Sequence, residues 1–309
     1  MDFDHLLVIG FGAPEKREDV PEYLRIVTRG VPVPEERLKE VARHYEAIGG
    51  GSPYNQYTQG LVEVIKQKLF DRAISLPVFL GMRNWRPFMK ETMAEIKAKG
   101  FRKGIGIVLA PHRCDASWEK YLGTVEEAQK AVQAEIEYEY LRPWHDHPGF
   151  TEAQAEQIKK IYDDLSPSEI AETHLLFSAH SIPVEMAQKS KYEAEIKASS
   201  ERVARELNHK NWSIAYQSRS GSPKQPWLEP DVSSVMGELA ASGAKTVLVV
   251  PIGFLCDNAE VLYDLDIEAR EKAEKAGLRY LRASTVMGHP KFAGMFAELV
   301  QEHLDSCRC

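Results

Sequence analysis

The sequence predicts an α/β protein made of two similar domains, each a parallel sheet flanked by helices. Three observations carry this reading. Short apolar runs alternate with helix-length polar stretches, which is the rhythm of parallel sheets. The second half of the chain repeats the first. LLVIGFGAP (Leu6 to Pro14) lies over LLFSAHSIP (Leu175 to Pro183), AEIKAKGFRKGIGIVLAP (Ala94 to Pro111) over GELAASGAKTVLVVP (Gly237 to Pro251), and HPGF (His147 to Phe150) over HPKF (His289 to Phe292). Two of the apolar runs end in residues that carry chemistry, at the strand ends where ligands of open α/β sheets sit. A repeat of this kind implies Rossmann-like domains facing each other across a cleft.

Each element follows from local pattern. Leu6 to Gly10 is an apolar run closed by Gly12 and Pro14, hence a strand. Glu15 to Thr28 is charged and helical, and Val31-Pro32-Val33-Pro34 breaks it. Glu35 to Ile48 places Leu38, Val41 and Tyr45 on one face. The run Gly49-Gly50-Gly51-Ser52-Pro53 is a loop, and Tyr57 to Leu69 is a helix. Leu76 to Gly81 is a strand, Met89 to Lys99 a helix stopped by Gly100, and Gly104 to Ala110 a strand. Trp118 to Ile136 is helical and Glu137 to Leu141 is a strand. The linear division falls between residues 1–146 and 147–309, near Trp144 to Pro148, with a final helix over 290–305 free to cross back onto the first domain.

Composition narrows the function. The net charge is −7 and the pI near 5.9, against the basic excess of a nucleic-acid binder. No apolar run approaches the ~20 residues of a membrane span. The N-terminus is acidic and enters a strand at once, unlike a signal peptide, so a cytoplasmic and monomeric protein is expected. Four cysteines, Cys114, Cys256, Cys307 and Cys309, are too scattered for a disulfide scaffold.

Two stretches carry the chemistry. Leu175 to Pro183 delivers His180 to the tip of a buried strand. Its duplicate position holds Phe11, so the fold does not require histidine there. Neutral imidazole both ligates metals and accepts protons near neutral pH. Thr246 to Glu260, TVLVVPIGFLCDNAE, is a second buried strand leading to an acid. Glu260, Asp264 and Glu268 follow at four-residue spacing, which on an α-helix stacks three carboxylates along one face, with Asp257 at the N-cap. Such a stripe is more often a solvated face. Placed at a sheet's carboxyl end, it suits passage of a divalent cation, which oxygen donors hold and release. His180 and Glu260 are expected to meet. His147 and His289 read as structural helix starts, and His5, His174, His209 and His303 as having no partners at ligand spacing. No HExxH, paired CxxC or P-loop is present, and Gly10-Phe11-Gly12 lacks the third glycine of a dinucleotide fingerprint.

Over nearly its whole length the chain resembles the ferrochelatases. The motifs are LLVIGFGAP, HYEAIGGGSP, LGMRNWRPF, LLFSAHSIP, YQSRSGSPKQPWLEPDV and PIGFLCDNAEVLYDLD. The resemblance implies the chelatase fold and insertion of Fe2+, a substrate, into a porphyrin with loss of two protons. It implies that His180 and Glu260 share metal capture and proton removal, that Asp264 and Glu268 line the iron path, and that Trp227 walls the porphyrin.

The stretch from Tyr23 to Glu46 is short and charged where membrane-bound, protoporphyrin-using members carry an apolar lip. The chain is thus similar to the coproporphyrin III branch. That branch implies Phe11, Arg29, Tyr45, Ser52 and Tyr121 as substrate contacts, with Phe11 where tyrosine is common. His44 stands where arginine is common, and Cys256 and Asn258 where serine and histidine are. Some ferrochelatases bind a [2Fe–2S] cluster, which points to Cys114, Cys307 and Cys309. The alternatives are a protoporphyrin IX ferrochelatase, a chelatase for another metal, and a non-catalytic haem or metal carrier.

Overall fold

The computed structural model describes residues 3–30, 33–220 and 225–307, so the Val31-Pro32 break and Cys309 lie outside the described residues. The elements in order are β1 (His5–Gly10), α1 (Val20–Val27), α2 (Glu35–Ala47), α3 (Tyr54–Asp71), β2 (Val78–Met82), α4 (Met89–Ala98), β3 (Lys103–Val108), α5 (Lys120–Val132) and β4 (Glu137–Tyr140). There follow α6 (Pro148–Tyr162), α7 (Pro167–Glu172), β5 (His174–His180), α8 (Val184–Gln188), α9 (Tyr192–Glu206), β6 (Trp212–Gln217), α10 (Val232–Ala241) and β7 (Thr246–Val250). A π-helix (Val261–Ala269), α11 (Arg270–Lys275), β8 (Arg279–Arg282) and α12 (Pro290–Ser306) complete the chain.

The residues group into two compact units. One contains the chain up to 110, 115–143 and 287 onward; the other contains 111–114 and 144–286. The final segment, counted with 147–309 in the linear division, therefore belongs to the first unit. The reason is apolar: α12 buries Phe292, Phe296, Leu299 and Val300, at helical spacing, and packs on α3.

Each unit holds a four-stranded, all-parallel sheet, β2-β1-β3-β4 in the first and β6-β5-β7-β8 in the second. The strand order is identical once the numbering is shifted, which is the repeat made visible. Central strands β1 and β7 are buried along their whole length, as a sheet covered on both faces demands. The cores repeat as well. Leu7, Ile9, Met93, Val108 and Val125 cluster in the first unit, and Leu176, Val249, Val261 and Leu265 in the second. Helix ends match too: Gly100 after α4 and Gly243 after α10 both take left-handed backbone, φ +78 and +89, where a side chain would be strained. His147 and His289 cap α6 and α12 through Nδ1, which accepts from Gly149 N at 3.1 Å and Lys291 N at 3.3 Å. Among the described residues no helix is long and apolar enough to cross a membrane.

Candidate active site

The site begins where β5 stops. Its register with β6 ends at the His180–Gln217 pair, and Ser181 N then donates to Gln217 O at 2.7 Å. Pro183 ends the extended run and starts α8. The loop after β7 lies directly against this strand end, with Gly253 N donating to Ser178 O at 3.0 Å. Only glycine allows that approach, because a Cβ on Gly253 would fall 2.8 Å from the Ala179 Cα and 2.7 Å from its Cβ. Phe254 then packs toward the imidazole, ring centroids 6.5 Å apart.

The close contact of the two loops brings His180 Nε2 to 3.4 Å from Glu260 Oε1. The convergence expected from sequence is present. Both side chains are enclosed yet accessible, 30% and 43% exposed. His180 Nδ1–H donates to the Ser181 carbonyl, which leaves Nε2 as the nitrogen aimed at the acid. Tyr192 OH donates to the His180 carbonyl at 2.9 Å, and Gln217 Nε2 to the Glu260 carbonyl at 3.2 Å. Burial opposes the imidazolium, but Glu260, the Ser181 carbonyl and Asp264 outweigh it and raise the His180 pKa. Burial likewise opposes the Glu260 carboxylate, and His180 with the Asn258 amide overcomes it, so its pKa is lowered. Both directions favour the ion-paired form, with the imidazolium proton on the Nε2 that faces Glu260.

The acid stripe is held on a π-helix rather than the expected α-helix. At about 3.6 residues per turn, four residues overshoot a full turn. In a π-helix, whose hydrogen bonds span five residues, four residues fall short of one. The carboxylates still share a face, drifting the other way. Burial, with Glu260 and Glu268 on either side, pushes the Asp264 pKa up to about 7, against a hydrogen bond from Ser218 Oγ that lowers it. Ser218 reaches Asp264 because its backbone turns left-handed, φ +63, just past β6. Glu268 is exposed at the outer end.

The expected cap is corrected. Asn258 Oδ1, not Asp257, accepts from Val261 N, at 3.0 Å. Asp257 is instead taken by Arg282 at 2.9 Å, and the same guanidinium grips Asp266 in two-pronged fashion at 2.6 and 2.8 Å. One arginine of β8 thus clamps the start and middle of the π-helix from behind.

Trp227 is half-buried beside the β5 tip, on a segment stitched to it by Leu228 N to Ile182 O and Val184 N to Pro226 O, both 3.0 Å. Its indole Nε1 is buried with no hydrogen-bond partner among the described residues. The other expected substrate contacts lie in the first unit. Phe11 is half-buried past β1, its backbone N held by Tyr54 OH at 2.8 Å. Arg29 is exposed after α1, whereas Tyr45, Ser52 and Tyr121 are buried. Cys256 is buried and its pKa raised, by burial and then by Asp257 and Glu260. Cys114 is buried in the second unit; Cys307 is exposed at the end of α12 in the first.

His5, His174 and His209 satisfy side chains or carbonyls of the fold, such as Tyr138 OH at 2.8 Å, Ser213 Oγ at 2.7 Å and Thr173 O at 2.9 Å. His303 departs from the expectation of no partner, lying beside Glu139 and Cys307. Sequence reading missed Ser218, Tyr192 and the Arg282 clamp. Ser218 and Tyr192 fall in segments whose signal is one of packing, and only YQSRSGSP, just past a strand, marks the former.

The fold of two α/β units is that of solved chelatase structures. SirB from Bacillus subtilis, solved with Fe3+, superposes with a TM-score of 0.59 at 13% identity, over 97% of this chain and 95% of its own. The ferrochelatase family model matches residues 4–304, and the chain belongs to the ferrochelatase family. A ferrochelatase of Rhodopirellula baltica is 37% identical over 98% of this chain and 86% of its own length. A coproporphyrin III ferrochelatase of Leifsonia xyli is 36% identical over 98% and 84%. The protein is thus an enzyme of haem biosynthesis that inserts metal into a porphyrin, with Fe2+ as substrate.

Proposed function

We propose that this ferrochelatase acts on coproporphyrin III, giving coprohaem, and that His180 and Glu260 perform the exchange of two pyrrole protons for one Fe2+. The observation that carries the site assignment is the 3.4 Å approach of His180 Nε2 to Glu260 Oε1 at the head of the acid stripe. Before Nε2 ligates iron, the imidazolium proton leaves it. With Nδ1–H committed to the Ser181 carbonyl, all titration happens at the nitrogen facing Glu260. Asp264, poised near neutral pH, takes that proton and releases it outward toward Glu268; the two pyrrole protons then pass in turn to the Glu260 carboxylate and leave by the same row as iron enters the ring. The same row, read inward, passes a cation between hard oxygen donors that hold it weakly enough to let go.

The substrate assignment rests on the charged α1–α2 stretch and on relatives named for coproporphyrin III. In it, Arg29, Tyr45, Ser52 and Tyr121 serve the four propionates, Arg29 by a charge-assisted bond, and Phe11 and Trp227 give apolar faces to the ring. A protoporphyrin IX enzyme is the nearest rival, and a haem or metal carrier the next. A carrier of finished haem has no use for the acid row. An iron–sulfur cluster does not fit the thiols present. Four thiolates are the usual requirement, and Cys256 is committed beside Glu260, which leaves three cysteines in the whole chain.

Anaerobic protein with Fe2+ is mixed with coproporphyrin III or with protoporphyrin IX and followed by absorption. Coproporphyrin is expected to be metallated at least about tenfold faster, a difference of about 1.4 kcal/mol in transition-state binding. Equal rates or a preference for protoporphyrin overturn the substrate assignment, and haem binding without turnover overturns the site.

A further inference from the structure

Glu139 on β4, His303 on α12 and Cys307 at the C-cap of α12 bring one carboxylate oxygen, one imidazole nitrogen and one thiol within 4.8 Å of one another. We propose that these three residues form a mononuclear site for a borderline-soft divalent cation, best matched by Zn2+, that fastens the end of α12 to the edge strand of the first sheet.

The geometry suits a shared ion. Zinc bonds of about 2.0–2.3 Å in a tetrahedron set ligand atoms about 3.3–3.8 Å apart. Here His303 Nε2 lies 3.1 Å and Cys307 Sγ 3.9 Å from the same oxygen, Glu139 Oε2, on either side of that range and within about 0.2 Å of it. His303 Nε2 is shielded from solvent and faces Glu139 Oε2, the oxygen that Cys307 also approaches. The four-residue step from His303 to Cys307 sets both side chains on one helix face.

The surroundings fix the donors. Lys103 Nζ holds Glu139 Oε1 at 2.8 Å, which leaves Oε2 turned to the other two ligands. Phe3 packs on the His303 ring, centroids 5.4 Å apart, and closes one side. Such outer contacts orient ligands in built metal sites. Cys307 is exposed, so a cation reaches it from solvent, and a water completes the fourth position. Binding displaces the thiol proton to solvent, so affinity rises with pH. Glu139 is on the edge strand of its sheet, and α12 is the segment that joins the first unit from far along the chain. A metal there ties a terminal helix down where its last turn would otherwise fray.

The test uses the full-length protein, reduced and stripped of metal, with Zn2+ and Co2+ as probes. The H180A/E260Q variant is used as background so that the active-site pair does not compete. One Zn2+ per chain is expected by competition with a chromophoric chelator, with a Tm rise of several degrees. Co2+ is expected to give a thiolate charge-transfer band. Cys307→Ser is expected to remove the band, and Cys307→Ser, His303→Ala and Glu139→Gln each to weaken Zn2+ binding at least tenfold. Circular dichroism of each variant, and metallation activity of the same substitutions in the otherwise wild-type chain, check that the fold persists. Absence of the band, or unchanged affinity in folded C307S or H303A protein, overturns the site. So does protein that carries a [2Fe–2S] absorption lost in C307S.

Discussion

The tips of β1 and β5 are the same place in two copies of one unit, and they do different work. Both strands sit second in sheets of the same order and both run into a glycine- or serine-proline turn. At β5 the chain presents His180, an acid 3.4 Å away, and a polar row behind it. At β1 the corresponding residue is Phe11, whose backbone N is held by Tyr54 OH. The framework is therefore indifferent to what stands at the strand end, and the chemistry is added to one copy by the loop after β7 and the π-helix beyond it.

The difference is tested most severely by exchanging function at the two tips. His180→Ala and Glu260→Gln should each slow iron insertion by roughly 10²–10⁴-fold, the usual worth of a positioned proton-transfer group. Phe11→Ala at the other tip should slow it by less than about tenfold, since it removes only apolar contact. Stopped absorption assays beside thermal melts separate lost chemistry from lost fold.

A second way to break the comparison is to push the loop away from the strand. Gly253→Ala puts a Cβ into Ala179 and should cost about 1–3 kcal/mol of stability, with a large fall in rate as Glu260 is displaced. Melting temperature and kcat for the variant should fall together.

The acid row offers a pH test. The Asp264 pKa rises from 3.8 to about 7, so its favourable contribution is complete below the ordinary carboxylate value. It is lost as pH climbs through about 7, where a buried carboxyl must ionise. Asp264→Asn should therefore gain stability on the wild type as pH rises from the ordinary carboxylate value of 3.8 to about 7, read as a Tm difference that turns in its favour with rising pH. A flat difference would remove Asp264 from the row. His180 and Glu260 run oppositely: the raised imidazole loses its contribution as pH rises through its folded value, and the lowered carboxylate as pH falls through its own.

The smallest expected effect belongs to Tyr192. Its hydroxyl bonds the His180 carbonyl, and Tyr192→Phe should cost about 1 kcal/mol, seen as a Tm shift with the rate changed by only a few-fold.

Much of this was legible in the residues. The apolar runs of β1, β5 and β7, the three duplicated segments and the strand-end histidine followed from periodicity and spacing alone. What was not legible has physical reasons. A π-helix and an α-helix share the same apolar and acidic pattern, so four-residue spacing does not separate them. Asp257 and Asn258 are both good caps, and only Arg282, 25 residues on, decides which is free to cap. The strand β6, Trp212–Gln217, mixes polar and apolar residues because the burial of its first half is partial. Glu139 lies far from His303 in sequence, so their proximity depends on α12 rejoining the first unit.

The central claim is that His180 and Glu260 act as one unit, and the direct test is a kinetic double-mutant cycle on anaerobic iron insertion. If the pair shares one task, H180A/E260Q should be no slower than the worse single variant by more than a few-fold. Losses that multiply, each near its full single-variant value, would show two independent groups and contradict the account.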